Sequence, residues 1–211
     1  MSEGVLAYAS VLQLSRSDIK TLKIKDAYTL HKVVYGLFED VRSETEKQGS
    51  VASGIVYVDK GGDFNVRRIL ILSTRKPHLT PQFGEVETKA VHASFLAYKR
   101  YAFEVTLNPT KRDRNSGKVV PIRGRENIEA WFKERAPVSW GFRVNEDTLQ
   151  VSQTSIQTFE KSGQTVTHRS ATLKGDVTIL DVEKFQQSFI RGIGRGRAFG
   201  FGLLQIAPIK N

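Results

Sequence analysis

The sequence predicts an α+β protein made of two tandem β-α-β-β-α-β units, the ferredoxin-like arrangement. Three observations predict it. At 211 residues, 39% hydrophobic and 26% charged, the chain can form a large core and has a globular composition. Segments of strand period alternate with segments of helical period. Those segments run through the same series twice, as a repeat of topology without residue-level self-similarity.

Residues 4–14, GVLAYASVLQL, read as the first strand. A secretory signal would need a basic start, and Glu3 stands there instead. SRSDIKTLKIKD reads as a polar connection, and Asp26 as the N-cap of the following helix. Leu30, Val33, Val34, Leu37, Phe38 and Val41 make a single apolar stripe, which predicts a helix running as far as Val41. VASGIVYVDK and VRRILILS read as strands joined by the turn KGGDFN, and 85–98 as a short helix or irregular structure. YAFEVTLNP closes this half as a strand stopped by Pro109.

The second half begins with the short strand GKVVPI and the helix GRENIEAWFKERA, with Ile128, Trp131 and Phe132 on one face. VSWGFRV, TLQVSQTSIQTFEK and QTVTHRSATLKGDVTIL read as strands, with turns at Asn145–Asp147 and Ser162–Gly163. DVEKFQQSFIRGIG is a helix capped by Asp181 and ended by glycine, and FGFGLLQIAP is the last strand. The expected division is residues 1–110, with the histidine-bearing helix, and 111–211, with a basic glycine-rich loop.

Several function classes drop out. There is no cysteine, which excludes disulfides, thiol catalysis and thiolate metal sites and suits a reducing cytoplasm. No apolar run approaches the roughly 20 residues of a membrane helix, so no membrane partner is expected. The four histidines lack metal-ligand spacing and the carboxylates do not cluster, so neither metal nor other cofactor is expected.

The net charge of +10 is concentrated. From Tyr98 to Arg125, Lys99, Arg100, Lys111, Arg112, Arg114, Lys118, Arg123 and Arg125 face only Glu104 and Asp113. From Phe189 to the C-terminus, Arg191, Arg195, Arg197 and Lys210 face no acid. These two stretches account for the whole excess, which points to a polyanion and to phosphate contacts. NPTKRDRNSGK reads either as a solvated interdomain loop or as part of that site.

GIGRGRAFGFG fails as a nucleotide motif. G-x-G-x-x-G would need glycine where Arg197 or Phe199 stands, and here a helix precedes the loop and a strand follows it. Glycines interleaved with arginines suit a loop whose backbone and guanidinium groups meet phosphates. A helix cap and a close-packed strand explain Gly192 and Gly202 without function.

YTLH at a helix start, mid-chain LNPTK, ENIEAWF and C-terminal GIGRGRAFGFGLL, in this order, resemble the CasE family across essentially the whole chain. That family is the repeat-RNA-processing endoribonuclease of the type I-E CRISPR Cascade complex. The resemblance implies a metal-independent nuclease that cuts CRISPR repeat RNA at the base of its hairpin. It also implies that the enzyme keeps the mature crRNA beside the other Cascade subunits. The family's catalytic Tyr-x-x-His falls on Tyr28 and His31. A hydroxyl residue carried further along this helix in some relatives is replaced, with Glu39 at about its place. The RNA-binding set so implied is Lys111, Arg112, Lys118, Lys161, Arg191, Arg195 and Arg197.

The residues support the same chemistry. His31 lies at the edge of the apolar stripe, with Tyr28, Tyr35 and Arg42 along one flank, in the first turns of a helix that attract phosphate. Metal-free RNA cleavage needs a base for the 2′-hydroxyl proton, an acid for the leaving 5′-oxygen and cations for the phosphorane. An imidazole, titrating near about 6.5, serves as acid or base; a phenol, near about 10, is better suited to donate or position a hydrogen bond. His78, His92 and His168 read as structural or surface residues. The competing reading is a non-catalytic RNA-binding protein that stacks bases on Tyr57 and Phe64 or on Phe199 and Phe201. An ordinary RRM is disfavoured by the lack of an RNP string, and a ribosomal or DNA-architectural protein by the concentration of charge.

Overall fold

The computed structural model describes residues 4–39, 41, 53–63, 65–161 and 164–210, with backbone alone at 157, 159–161 and 164–166. Arg42, Phe64 and the predicted turn at Ser162–Gly163 lie outside the described residues, as does the side chain of Lys161. The fold is a mixture of helices and antiparallel sheets.

The first half contains β1 (Val5–Ser15), α1 (Arg16–Thr21), α2 (Ala27–Tyr35), β2 (Ile55–Gly62), β3 (Val66–Ser73) and β4 (Glu85–His92). Its sheet runs β2-β3-β1-β4, every neighbour antiparallel. The second half contains β5 (Arg100–Leu107), β6 (Thr110–Arg112), β7 (Val119–Pro121), α3 (Arg125–Arg135) and β8 (Phe142–Val144). It continues with β9 (Gln150–Lys161), β10 (Gln164–Ile179), α4 (Val182–Arg191) and β11 (Gln205–Pro208). Its sheet runs β11-β5-β10-β8, with β9 paired to the same long β10.

Five sequence expectations are corrected. SRSDIK is not a simple connection: Ser15 and Asp18 close a capping box that starts α1. Helix α2 stops at Tyr35, capped by Gly36, although Leu37 and Phe38 stay buried through a tight turn and Val41 is exposed. Of residues 85–98, only Ala93–Leu96 form a short helix, a 3₁₀ turn, while 85–92 are a strand, because Val86, Thr88 and Val91 suit a pleated edge against β1. Pro77, Pro81 and Gly84 precede it, and no helix lies between β3 and β4 among the described residues. YAFEVTL opens the second sheet instead of closing the first, pairing with β10 and β11. Finally, NPTKRDRNSGK is not an open loop: it holds strand β6 and the turn that leads into β7.

Alternation explains how the halves join. In β2, Ile55 and Tyr57 face the core under α2 with Leu12, Leu14, Leu30 and Val34. Val56 and Val58 face the opposite core, which continues into Leu107, Phe189 and Ile193 of the second half. That larger core holds an aromatic cluster. Phe132 lies 5.6 Å from Phe103 and 5.2 Å from Trp140 between ring centroids, and Tyr101 lies 5.5 Å from Phe185.

Candidate active site

The site forms where α2 meets the glycine loop. Asp26 caps α2: its carboxylate accepts from the Thr29 amide at 2.8 Å, while the Asp26 amide donates to Thr29 Oγ1 at 3.1 Å. That amide bond holds the Asp26 carboxyl below its ordinary value. The predicted cap is thus in place, and a carboxylate already sits on the first turn, where the sequence suggested that phosphate is attracted.

Tyr28 and His31 follow at i and i+3, on one flank, both half-buried. Their rings lie 6.4 Å apart and nearly parallel, and Lys32 Nζ stands 4.5 Å above the Tyr28 ring. Tyr35 packs 4.1 Å from the His31 ring, one further turn along. Glu39 lies beyond the end of α2 and is exposed.

The glycine loop covers the other side. Tyr57 is fully buried, and its hydroxyl donates to the Ala198 carbonyl at 3.0 Å. A Cβ on Gly200 would stand 3.3 Å from the Tyr57 ring, at a backbone φ of +86° that glycine accepts freely. So anchored, the loop sets Phe199 5.9 Å from His31 and 5.2 Å from His168. Sequence reading assigned His168 no part here. The packing depends on β10 crossing under the loop, and the only local signal was a histidine in a strand among threonines. Burial pushes the His168 imidazole below its ordinary value.

Beside this cluster lies a cleft of about 370 Å³ bordered by Lys25, Asp26, Tyr57, Asp59, Arg67 and Phe199. Arg67 is engaged by Asp59, its Nε donating at 3.1 Å to Oδ2. The cleft thus carries little net positive charge, and further positive charge comes from Lys32 on α2 and from the loop arginines. Of those, Arg197 donates to the Arg191 carbonyl at 3.0 Å, tying the loop to the end of α4, while Arg195 is exposed. Arg191 is likewise exposed at the end of α4.

The hairpin residues stand elsewhere. Lys111 and Arg112 pair with Val120 and Val119 across β6–β7, and Arg112 donates to the Gly117 carbonyl at 2.7 Å. Lys118 is exposed beside β7, and Lys161 ends β9. Lys111, Arg112 and Arg114 border a cleft of about 720 Å³ with Asp113, Trp131 and Glu134. The structure therefore unites Tyr28, His31 and the glycine loop, and gives the basic hairpin a separate surface. Among the described residues, no group of three or more His, Asp or Glu is placed to hold a metal ion.

Residues 7–208 match the CRISPR-associated protein family. The chain belongs to that family. It is 28% identical over 130 residues to the CRISPR-associated endoribonuclease Cse3 of Thermus thermophilus, a match covering 57% of this chain and 61% of that protein. It is 24% identical over 209 residues to the CRISPR system Cascade subunit CasE of Escherichia coli, covering 94% of this chain and 100% of that one. The fold is similar to Thermus thermophilus Cse3 bound to an RNA representing a pre-cleavage complex, at a TM-score of 0.76 and 21% identity over 96% of this chain and 99% of that one. It is also similar to Escherichia coli Cas6e, at 0.71 and 20% identity over 96% and 100%.

The base-stacking alternative loses two of its four residues in the structure, and a third, Phe64, lies outside the described residues. Tyr57 and Phe201 are buried, at 0% and 1% exposure, so neither can stack on a base. Phe199 is half-buried between two imidazoles. Among the described residues, no helix is long and apolar enough to cross a membrane.

Proposed function

We propose that the chain is a metal-independent endoribonuclease that cuts CRISPR repeat RNA at the base of its hairpin and stays on the mature crRNA as a Cascade subunit. In this reading it works in the cytoplasm and is built of two tandem ferredoxin-like units. The strand orders fit that plan, the first unit having lost its second helix. We place the division between His92 and Arg100 instead of at residue 110, a reading that the pairing of β5 with β10 supports.

One observation carries the reading: Tyr28 and His31 stand together on α2, half-buried, against an arginine-bearing glycine loop. His31 exchanges the proton, either taking it from the 2′-hydroxyl or giving it to the 5′-oxygen. Tyr28 positions the phosphate through its hydroxyl, with Lys32 adding positive charge beside it. Half-burial matters, because an imidazole shielded from bulk water holds a fixed orientation while a phosphate can still reach it. The relatives named as CRISPR endoribonuclease and Cascade subunit support the substrate and the partners.

Incubating the chain with hairpin repeat RNA in excess EDTA tests this reading. Site-specific cutting at the hairpin base is expected; RNA that stays intact both with and without divalent cations would mark a binding protein.

A second expectation concerns the hairpin. Replacing Lys111, Arg112 and Lys118 together should lower the slope of log affinity against log salt by about 0.7 to 0.9 for each phosphate that is no longer neutralised. Salt titrations of wild type and variant read this directly, and identical slopes would mark the three as solvated charges.

A further inference from the structure

The basic stretch from 98 to 125 does not act as one patch. Lys111, Arg112 and Arg114 share their cleft with the carboxylates of Asp113 and Glu134. Arg123 and Arg125 border a different cleft, of about 350 Å³, where the fold brings in Arg169 of β10. Thr154, Ser155 and Ser170 add hydroxyls to its wall, and no carboxylate lines it among the described residues.

The state of Arg169 is informative. Among the described residues, the other half-buried arginines each have a partner. Arg67 has Asp59, Arg75 donates to the Ser53 carbonyl, Arg100 stands 3.9 Å from Asp176, and Arg197 donates to the Arg191 carbonyl. Within the same set, Arg169 has neither a side-chain hydrogen bond nor an ion pair, and the Arg123 and Arg125 side chains have no partner either. Withdrawing a guanidinium from water without compensation is unfavourable, and its fork of donors matches a phosphate. The first turn of α3, whose Gly124 cap puts no side chain on its amides, borders the same cleft.

This cleft adjoins the one at α2. Ile156, 57% exposed, borders both. A strand passing from one to the other crosses an apolar ridge flanked by hydroxyls, and the arginines lie beyond it.

We propose that Arg123, Arg125 and Arg169 form a phosphate-binding groove for the RNA strand that continues past the α2 cleft over Ile156. The groove reads the backbone and not the bases, since guanidinium and hydroxyl groups on its wall meet phosphate oxygens. It rests on the endoribonuclease reading and adds to it a path for the RNA outside the hairpin.

The test uses the full chain and a repeat RNA with deoxyribose at the nucleotide before the cut, so that binding is measured without cleavage. R123Q/R125Q/R169Q should lower the salt slope by about 2, at about 0.7 per phosphate on a single strand, and by the same amount when the flanking bases are changed. R123Q/R125Q, both residues exposed, should lower it by about 1.4 and guards against misfolding of the triple variant, which thermal melts would report. R143Q, on the edge strand β8, should leave it unchanged. An unaltered slope in R123Q/R125Q and in the folded triple variant, with wild type still cutting ordinary repeat RNA, overturns the groove alone. A wild type that neither binds nor cuts that RNA overturns the endoribonuclease reading and the groove with it.

Discussion

Replacing His31 with alanine should slow single-turnover cleavage of repeat RNA by about 10²–10⁴ while leaving hairpin affinity within a few-fold. The split follows from where the groups stand. His31 packs between Tyr35 and Phe199 beside a cleft with little net charge, and the paired Arg67 and Asp59 there cancel. The cations proposed to hold RNA lie on the β6–β7 hairpin and in the arginine clefts, which the substitution does not touch. Removing the imidazole deletes a proton-transfer group and leaves binding in place. His31→Gln keeps polar bulk against Phe199 and should be about as slow, which separates a chemical effect from a packing effect. Cleavage by both variants within a few-fold of wild type would remove His31 from the reaction.

His168 serves as an internal contrast. It touches the same Phe199 ring, and burial lowers its imidazole from the ordinary value, so it gains a proton only at a lower pH than an ordinary imidazole would. This half-buried imidazole, set between Phe199 and Phe201, packs the loop.

Much of this was legible in the sequence, for identifiable reasons. The strands and the helices α2, α3 and α4 announce themselves through period and caps, with Asp26 and Asp181 both capping as predicted. The half-buried flank of α2 follows from helical geometry alone. The errors lie where local signals permit two outcomes. The stripe of α2 continues to Phe38 because a tight turn keeps it buried after the helix has ended, and hydrophobicity cannot distinguish the two. YAFEVTL has the pattern of a buried strand whichever sheet it joins, and only its pairing with β10 decides. Arg197 also ties the loop to α4, a bond across the glycine turn that spacing does not encode. Arg169, isolated in sequence, gains its meaning only beside Arg123 and Arg125. The pairing of Tyr28 with His31 rests on the family resemblance and agrees with the geometry of the flank.

Cleavage itself should begin with attack by the RNA's own 2′-hydroxyl. Tyr28 and His31 can exchange and direct protons, and Lys32 over the Tyr28 ring brings positive charge for a phosphorane, so the proposed nucleophile belongs to the substrate. The products should carry a 2′,3′-cyclic phosphate and a 5′-hydroxyl. The most direct measurement compares repeat RNA with an otherwise identical RNA carrying deoxyribose at the single nucleotide before the cut, in EDTA, with end-group analysis of the products. Equal binding of both is expected, with cyclic-phosphate ends from the first and no cleavage of the second. Cutting of the deoxy substrate, or a product bearing a 5′-phosphate, would require an activated water and contradict attack by the 2′-hydroxyl.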